Sequence, residues 1–211
     1  MCGIMAYTSK KPEKRHAWIA YQIAEELKTR GVHAFGISYA KNGKIITKKS
    51  LRPLTLSDFQ RAVSSGGFIY HNRYSTSGDF NIEENNQPID VEELSIVVNG
   101  VTSMAPKLEY EDKFGISCKT QNDAEILARL MLKGHSLNDI LKRKDIGSCS
   151  IAVLFKTGEI LVGRNNSRPL RLHKDEPTGS YFVASTSEAI LAGFPGETGK
   201  PLDQFISKKV N

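Results

Sequence analysis

Met1-Cys2-Gly3-Ile4-Met5-Ala6-Tyr7-Thr8 opens the chain. Residues 3–8 read as a short buried strand, so whatever precedes them is delivered to a strand end. The residue delivered is a cysteine. If Met1 is cut off, Cys2 carries a free α-amine beside its own thiol, and one residue holds both a nucleophile and a base. An unperturbed α-amine titrates at about 7.7–8.0, so it can take a proton near neutral pH. The thiolate is the reactive form of cysteine and needs such help to form. A side chain as small as cysteine at position 2 does not hinder the aminopeptidase. On these residues alone, an incidental cysteine near an ordinary start is the better reading, so the rest of the chain has to decide.

Working outward, residues 17–28 (AWIAYQIAEELK) place Trp18, Ile19, Ile23 and Leu27 at helical spacing. That helix is expected to end near Thr29-Arg30-Gly31, with Gly31 as its stop. Apolar runs at 34–39 and 44–48 flank Lys41-Asn42-Gly43, a strong hairpin signal. A short helix is expected over 56–63, and a strand over 67–71 leads into a loop at 72–78. Residues 79–92 read as an ordered polar surface loop. A strand over 94–98 runs into the turn dipeptide Asn99-Gly100.

Residues 102–120 look irregular. Gln121-Asn122-Asp123 precedes a helix over 124–132, with Asp123 or Asn122 as its cap. A second helix follows over 136–142. Strands are expected at 149–155, 160–163, 170–173 and 181–184, then a short helix at 187–191. The tail from Gly193 shows no core pattern. Hairpins outnumber βαβ alternation, which argues an α+β fold with two largely antiparallel sheets and helices outside them.

Composition narrows the class. At 211 residues, with 39% hydrophobic and 25% charged residues, the chain reads as one soluble globular domain. No stretch approaches the roughly 18 apolar residues of a membrane span, and no apolar run at the N-terminus suggests a secretory signal. Three cysteines without metal-binding spacing suggest neither a disulfide framework nor a metal site. A cytoplasmic location is expected. The formal charge of +6 is uneven: residues 1–60 hold 11 Lys/Arg against 4 Asp/Glu, a local balance of +7. A basic front could meet nucleic acid, but the basic residues are not interleaved with aromatics, and a solvated lysine-rich surface is preferred.

Several short stretches, in order, resemble the class II glutamine amidotransferases, whose glutaminase domains carry an N-terminal cysteine nucleophile. Met1-Cys2-Gly3-Ile4 is similar to their processed start. Arg30-Gly31-x-x-Ala34-x-Gly36-Ile37 resembles their Arg-Gly-x-Asp-x-x-Gly-Ile segment. His71-x-Arg73-Tyr74-x-Thr76-x-Gly78 resembles the glutamine-binding loop, and Asn85-Asn86-Gln87-Pro88-Ile89 the Asn-x-Gln-Pro-Phe stretch. Val98-Asn99-Gly100 resembles His-Asn-Gly, and Asn122-Asp123-Ala124-Glu125 resembles Ser-Asp-Thr-Glu. Two later stretches, 164–170 and 184–188, resemble the Arg-x-x-x-x-Pro-Leu and Ala-Ser-Glu signatures. Each motif is weak alone. Together, over about residues 2–192, they reverse the reading of Cys2.

The resemblance implies a four-layer αββα sandwich, the N-terminal nucleophile hydrolase fold, with the glutaminase domain over 2–192 and a tail over 193–211. It implies a stand-alone glutaminase that hydrolyses L-glutamine through a Cys2 thioester and needs no cofactor or metal. Cys2 would be the nucleophile, and the Asn99 amide and Gly100 N–H the oxyanion donors. Arg73 would bind the substrate α-carboxylate, Asp123 its α-ammonium, and Thr76 would fix the Arg73 loop. With no synthase domain in view, ammonia would pass to a separate synthase subunit. Two other readings stay open: a lone amidohydrolase of another γ-glutamyl amide, and a non-catalytic binding module with a basic N-terminal surface. The sequence departs from the family at Val98, His33 and Ser77. His71 is expected to be structural, because an N-terminal nucleophile needs no histidine partner.

Overall fold

In the computed structural model, two antiparallel sheets pack face to face with helices on both outer sides. All residues are described except Thr76, Ser77, Phe205 and Asn211, and the side chains of Ile206 and Ser207. The elements in chain order are β1 (Gly3–Thr8), α1 (Lys14–Leu27), β2 (Ala34–Lys41), β3 (Lys44–Ser50), α2 (Leu56–Ser64), β4 (Gly67–Arg73), β5 (Ile89–Val91) and β6 (Leu94–Gly100). They continue as α3 (Lys107–Phe114), α4 (Ala124–Leu132), α5 (Leu137–Leu141), β7 (Cys149–Phe155), β8 (Ile160–Arg164), β9 (Arg171–Asp175), β10 (Ser180–Ala184), α6 (Ser187–Gly193), β11 (Lys200–Pro201) and β12 (Ile206–Val210). The seven-stranded sheet runs β11-β9-β10-β1-β4-β2-β3, and the five-stranded sheet β12-β8-β7-β6-β5.

The alternation of strand side chains builds the layers. Met5 and Tyr7 of β1, with Phe68 and Tyr70 of β4, face α1, α2 and α6. Ile4, Ala6 and Ile69, on the opposite parity, face the other sheet. There they meet Val97 of β6 and Ala152 and Leu154 of β7. Ile96, Val98, Ile151 and Val153 turn outward onto the layer of α3, α4 and α5. Sandwich and helices are thus as the sequence predicts.

The differences are local. The first helix begins at Lys14, three residues earlier than its apolar pattern. Its buried stripe is Ile19, Ala20, Ile23, Ala24 and Leu27, and Trp18 falls off that stripe and is exposed. Within 102–120 lies α3, whose only buried residue is Tyr110, so it carries little apolar periodicity. Within the polar stretch 79–92, Ile89 and Val91 alternate with exposed Asp90 to form β5. The tail from Gly193 adds β11 and β12, pairing with β9 and β8.

Ile69 is fully buried between the sheets. Ile69→Ala should lower stability by about 2–5 kcal/mol, the usual cost of such a cavity. Urea unfolding should show a lower midpoint with an unchanged m-value.

Candidate active site

Strand direction brings the candidate residues to one end of the inter-sheet space. β1 starts at Gly3, opposite Asn72 of the antiparallel β4, so Cys2 lies beside the end of β4 that carries Arg73. Cys2 shares the parity of Ile4, and Asn99 that of Val97, so both side chains belong to the inner faces. β6 ends there as well, at Asn99-Gly100.

The Cys2 sulfur sits against the backbone of Tyr74. It accepts from the Tyr74 N–H at 3.4 Å and donates to the Tyr74 carbonyl at 3.6 Å. The Cys2 carbonyl is held from two directions. Arg30 Nε donates to it at 2.8 Å. The Asn99 amide, oriented to satisfy both its ends, donates to it at 3.0 Å and accepts from the Arg30 guanidinium at 3.3 Å. Burial pushes the Cys2 thiol above its ordinary value, while the Tyr74 N–H and the positive charges of the N-terminus, Arg73 and Arg30 pull it back. Met1 still covers the α-amine of Cys2. Its Sδ accepts from Arg30 at 3.7 Å and from Arg168 at 2.8 Å.

Gly31 lets this wall close. A Cβ there would lie 2.5 Å from the Arg73 carbonyl carbon and the Tyr74 nitrogen. Gly31 does end the short 3-10 turn Lys28–Arg30, but at an extended φ of 178°. Glycine is therefore required by close approach and not by a left-handed cap. At Gly100 both reasons apply: φ is +149°, and a Cβ would lie 2.1 Å from the Ser148 carbonyl oxygen. The Val101 N–H pairs with Ser148 of the neighbouring strand run at 3.1 Å, and the Val98 N–H turns the opposite way, to Gln87 Oε1 at 2.6 Å. By alternation the Gly100 N–H points to the Gln87 side, away from β7.

Arg73 is buried, and its guanidinium donates to the Asn85 carbonyl (2.9 Å), Asn86 Oδ1 (2.7 Å) and the Gly78 carbonyl (3.0 Å). Asp123 does not cap its own helix. Its Oδ2 accepts from the Thr102 and Ser103 N–H groups at 2.9 and 3.3 Å, which fixes the turn after Gly100. Asn122 Oδ1 caps instead, accepting from the Ala124 N–H at 3.0 Å. Thr76 lies outside the described residues. Among the described residues no group of His, Cys, Asp and Glu has a geometry for a metal.

Sequence reasoning missed a buried amide cluster behind the site. Asn85 links Gln121, Asn122 and the Asp79 carbonyl, Asn86 holds Arg73 and the Phe80 carbonyl, and Gln87 joins the Val98 N–H to Asn122. The run Asn85-Asn86-Gln87 was its visible signal: three amides in a row are costly to bury unless each is bonded.

No family sequence model matches the chain, and no curated protein matches it. Solved structures do. Glutamine phosphoribosylpyrophosphate amidotransferase from B. subtilis superposes with a TM-score of 0.73 and 23% identity, over 96% of this chain and 46% of that one. A structure described as the allosteric regulatory enzyme of purine biosynthesis gives 0.71 and 23%, over 96% and 45%. This is the N-terminal nucleophile hydrolase fold. A glutamine aminotransferase class-II domain protein from Silicibacter pomeroyi shares it at a TM-score of 0.59 and 16% identity, over 96% of this chain and 92% of that one. The chain thus spans less than half the length of the first two.

One residue of this sandwich sets a pH dependence. His71 of β4 is fully buried, neither ring nitrogen makes a hydrogen bond of good geometry, and the Val98 backbone lies beside it. Burial, reinforced by the Arg73 charge, lowers its pKa to about 3. A histidine in the unfolded chain takes its proton near pH 6.5. Between these values only the unfolded chain is protonated, so stability falls with acidification by about 1.4 kcal/mol per pH unit. His71→Asn should flatten the pH dependence of the urea midpoint between about pH 6 and pH 4.

Proposed function

We propose that the chain is the glutaminase module of a class II glutamine amidotransferase, active once Met1 is removed. The observation that carries this is the Cys2 thiol, held between the Tyr74 N–H and carbonyl at the open end of the sandwich, with its own carbonyl clamped by Arg30 and Asn99. Such a clamp fixes the residue whose amine and thiol must cooperate.

The Cys2 sulfur attacks the side-chain amide carbon of L-glutamine, and the Cys2 α-amine takes the thiol proton. The Asn99 amide has two hydrogens. One goes to the Cys2 carbonyl and the second serves the oxyanion, together with the Gly100 N–H. The carbon–nitrogen bond breaks as the α-ammonium returns a proton to the departing ammonia. Water then cleaves the thioester and releases glutamate. Arg73 supplies the cation for the substrate α-carboxylate. Asp123, whose Oδ1 makes no hydrogen bond among the described residues, supplies the anion for the α-ammonium. Ammonia passes to a separate acceptor-aminating partner.

Intact mass decides the mechanism. The mature protein should lack Met1 and gain one adduct from diazo-oxo-norleucine, and Cys2→Ala should abolish the adduct. An adduct that survives Cys2→Ala refutes the assignment. Asn99→Ala should lower kcat for glutamine hydrolysis about 10²- to 10³-fold, the usual effect of losing one oxyanion donor. Ammonia and glutamate release from glutamine should exceed release from other γ-glutamyl amides. A tenfold preference for the latter would replace glutamine as the substrate.

A further inference from the structure

We infer that His33 is a positioning residue for the nucleophile, acting through the hydrogen bond its ring accepts from the Ser75 N–H. The inference rests on the glutaminase reading above, but its geometry is independent of it. His33 lies between the 3-10 turn and β2, and grips the segment that leaves β4 in two ways. Its backbone N–H donates to the Arg73 carbonyl at 3.0 Å. Its Nδ1 accepts from the Ser75 N–H at 2.9 Å. The residue between those two is Tyr74, whose N–H and carbonyl hold the Cys2 sulfur at 3.4 and 3.6 Å. The imidazole also packs against the Tyr74 ring (centroids 5.2 Å apart, 27° between planes) and the Phe80 ring (5.0 Å, 19°). Backbone on both sides of Tyr74 is therefore pinned by one residue.

A backbone N–H can only donate, so Nδ1 must accept, and the ring proton sits on Nε2. The Arg30 guanidinium is turned to Cys2 and Met1, and that of Arg73 to Gly78, Asn85 and Asn86. Neither replaces the acceptor. An aspartate here would accept from the same N–H without a ring to stack.

The test compares two labels for Cys2 in the Met1-processed protein. Diazo-oxo-norleucine has the shape of glutamine and needs the ordered loop, whereas iodoacetamide needs only the thiol. His33→Ala should lower the ratio of the two labelling rates about two- to tenfold, the range one neutral hydrogen bond spans. His33→Asn, which keeps an acceptor, should restore it. An unchanged ratio in His33→Ala overturns the inference. A lowered ratio that His33→Asn does not restore overturns it too, assigning the effect to the ring stack. Failure of diazo-oxo-norleucine to label the wild type while iodoacetamide does would instead reject the glutaminase reading.

Discussion

Everything at the site depends on the carbonyl of Cys2 accepting two hydrogen bonds from opposite layers. Arg30 comes from the turn after α1, behind the seven-stranded sheet, and Asn99 from β6 of the other sheet. A residue next to a chain end has few neighbours to hold it, and ordering its backbone costs about 1–2 kcal/mol. The two donors supply that order, and they remain aligned only while the sheets stay in register. The apolar layer of Ile4, Ile69, Val97 and Ala152 is therefore part of the site's machinery as well as of its stability.

A second constraint is the burial of a cation. Burial pulls the Arg73 guanidinium below its ordinary value, while the charges of Cys2, Asp79 and Asp123 favour its charged form. The carbonyls of Gly78 and Asn85 and the amide oxygen of Asn86 satisfy its N–H groups. Neutral acceptors fix the plane of a guanidinium without cancelling its charge, which a carboxylate would do. The amide cluster behind them spreads the same geometry to β6 and α4. Loss of any one amide would strand its partners in a low-dielectric interior, where an unpaired polar group costs most.

The sequence made the sandwich legible because its core strands are short apolar runs bounded by turn signals and its helices are strongly periodic, as in 19–27 and 124–132. What it hid had weak local signals. α3 buries one side chain, β5 is three residues long, and the last two strands pair with partners 28–30 and 42–50 residues away. At the site, motif order identified Cys2, Asn99, Gly100, Arg73 and Asp123 as candidates but not their partners. Asp123 read as a cap because it precedes a helix. Its orientation toward Thr102 and Ser103 follows from tertiary packing that no local pattern encodes. His33 read as a mere departure, since its acceptor role appears only once Ser75 is folded against it.

The basic N-terminal third finds its account in topology. Lys44, Lys48 and Lys49 lie on β3, which is the outermost strand of the seven-stranded sheet. Three strand spacings of about 4.8 Å separate it from β1, the strand that follows Cys2. An outermost strand offers unpaired backbone groups to any other chain, and lysines along it make such pairing unfavourable. Lys48 is also tied down, to Asp58 of α2 at 2.8 Å, and Lys49 reaches the Glu83 carbonyl at 3.5 Å. Charge placed at an edge and partly engaged by its own chain protects a sheet against such pairing. The cations with work at the centre of the molecule are different ones, Arg30 and Arg73, and they are set by hydrogen-bond geometry and not by number.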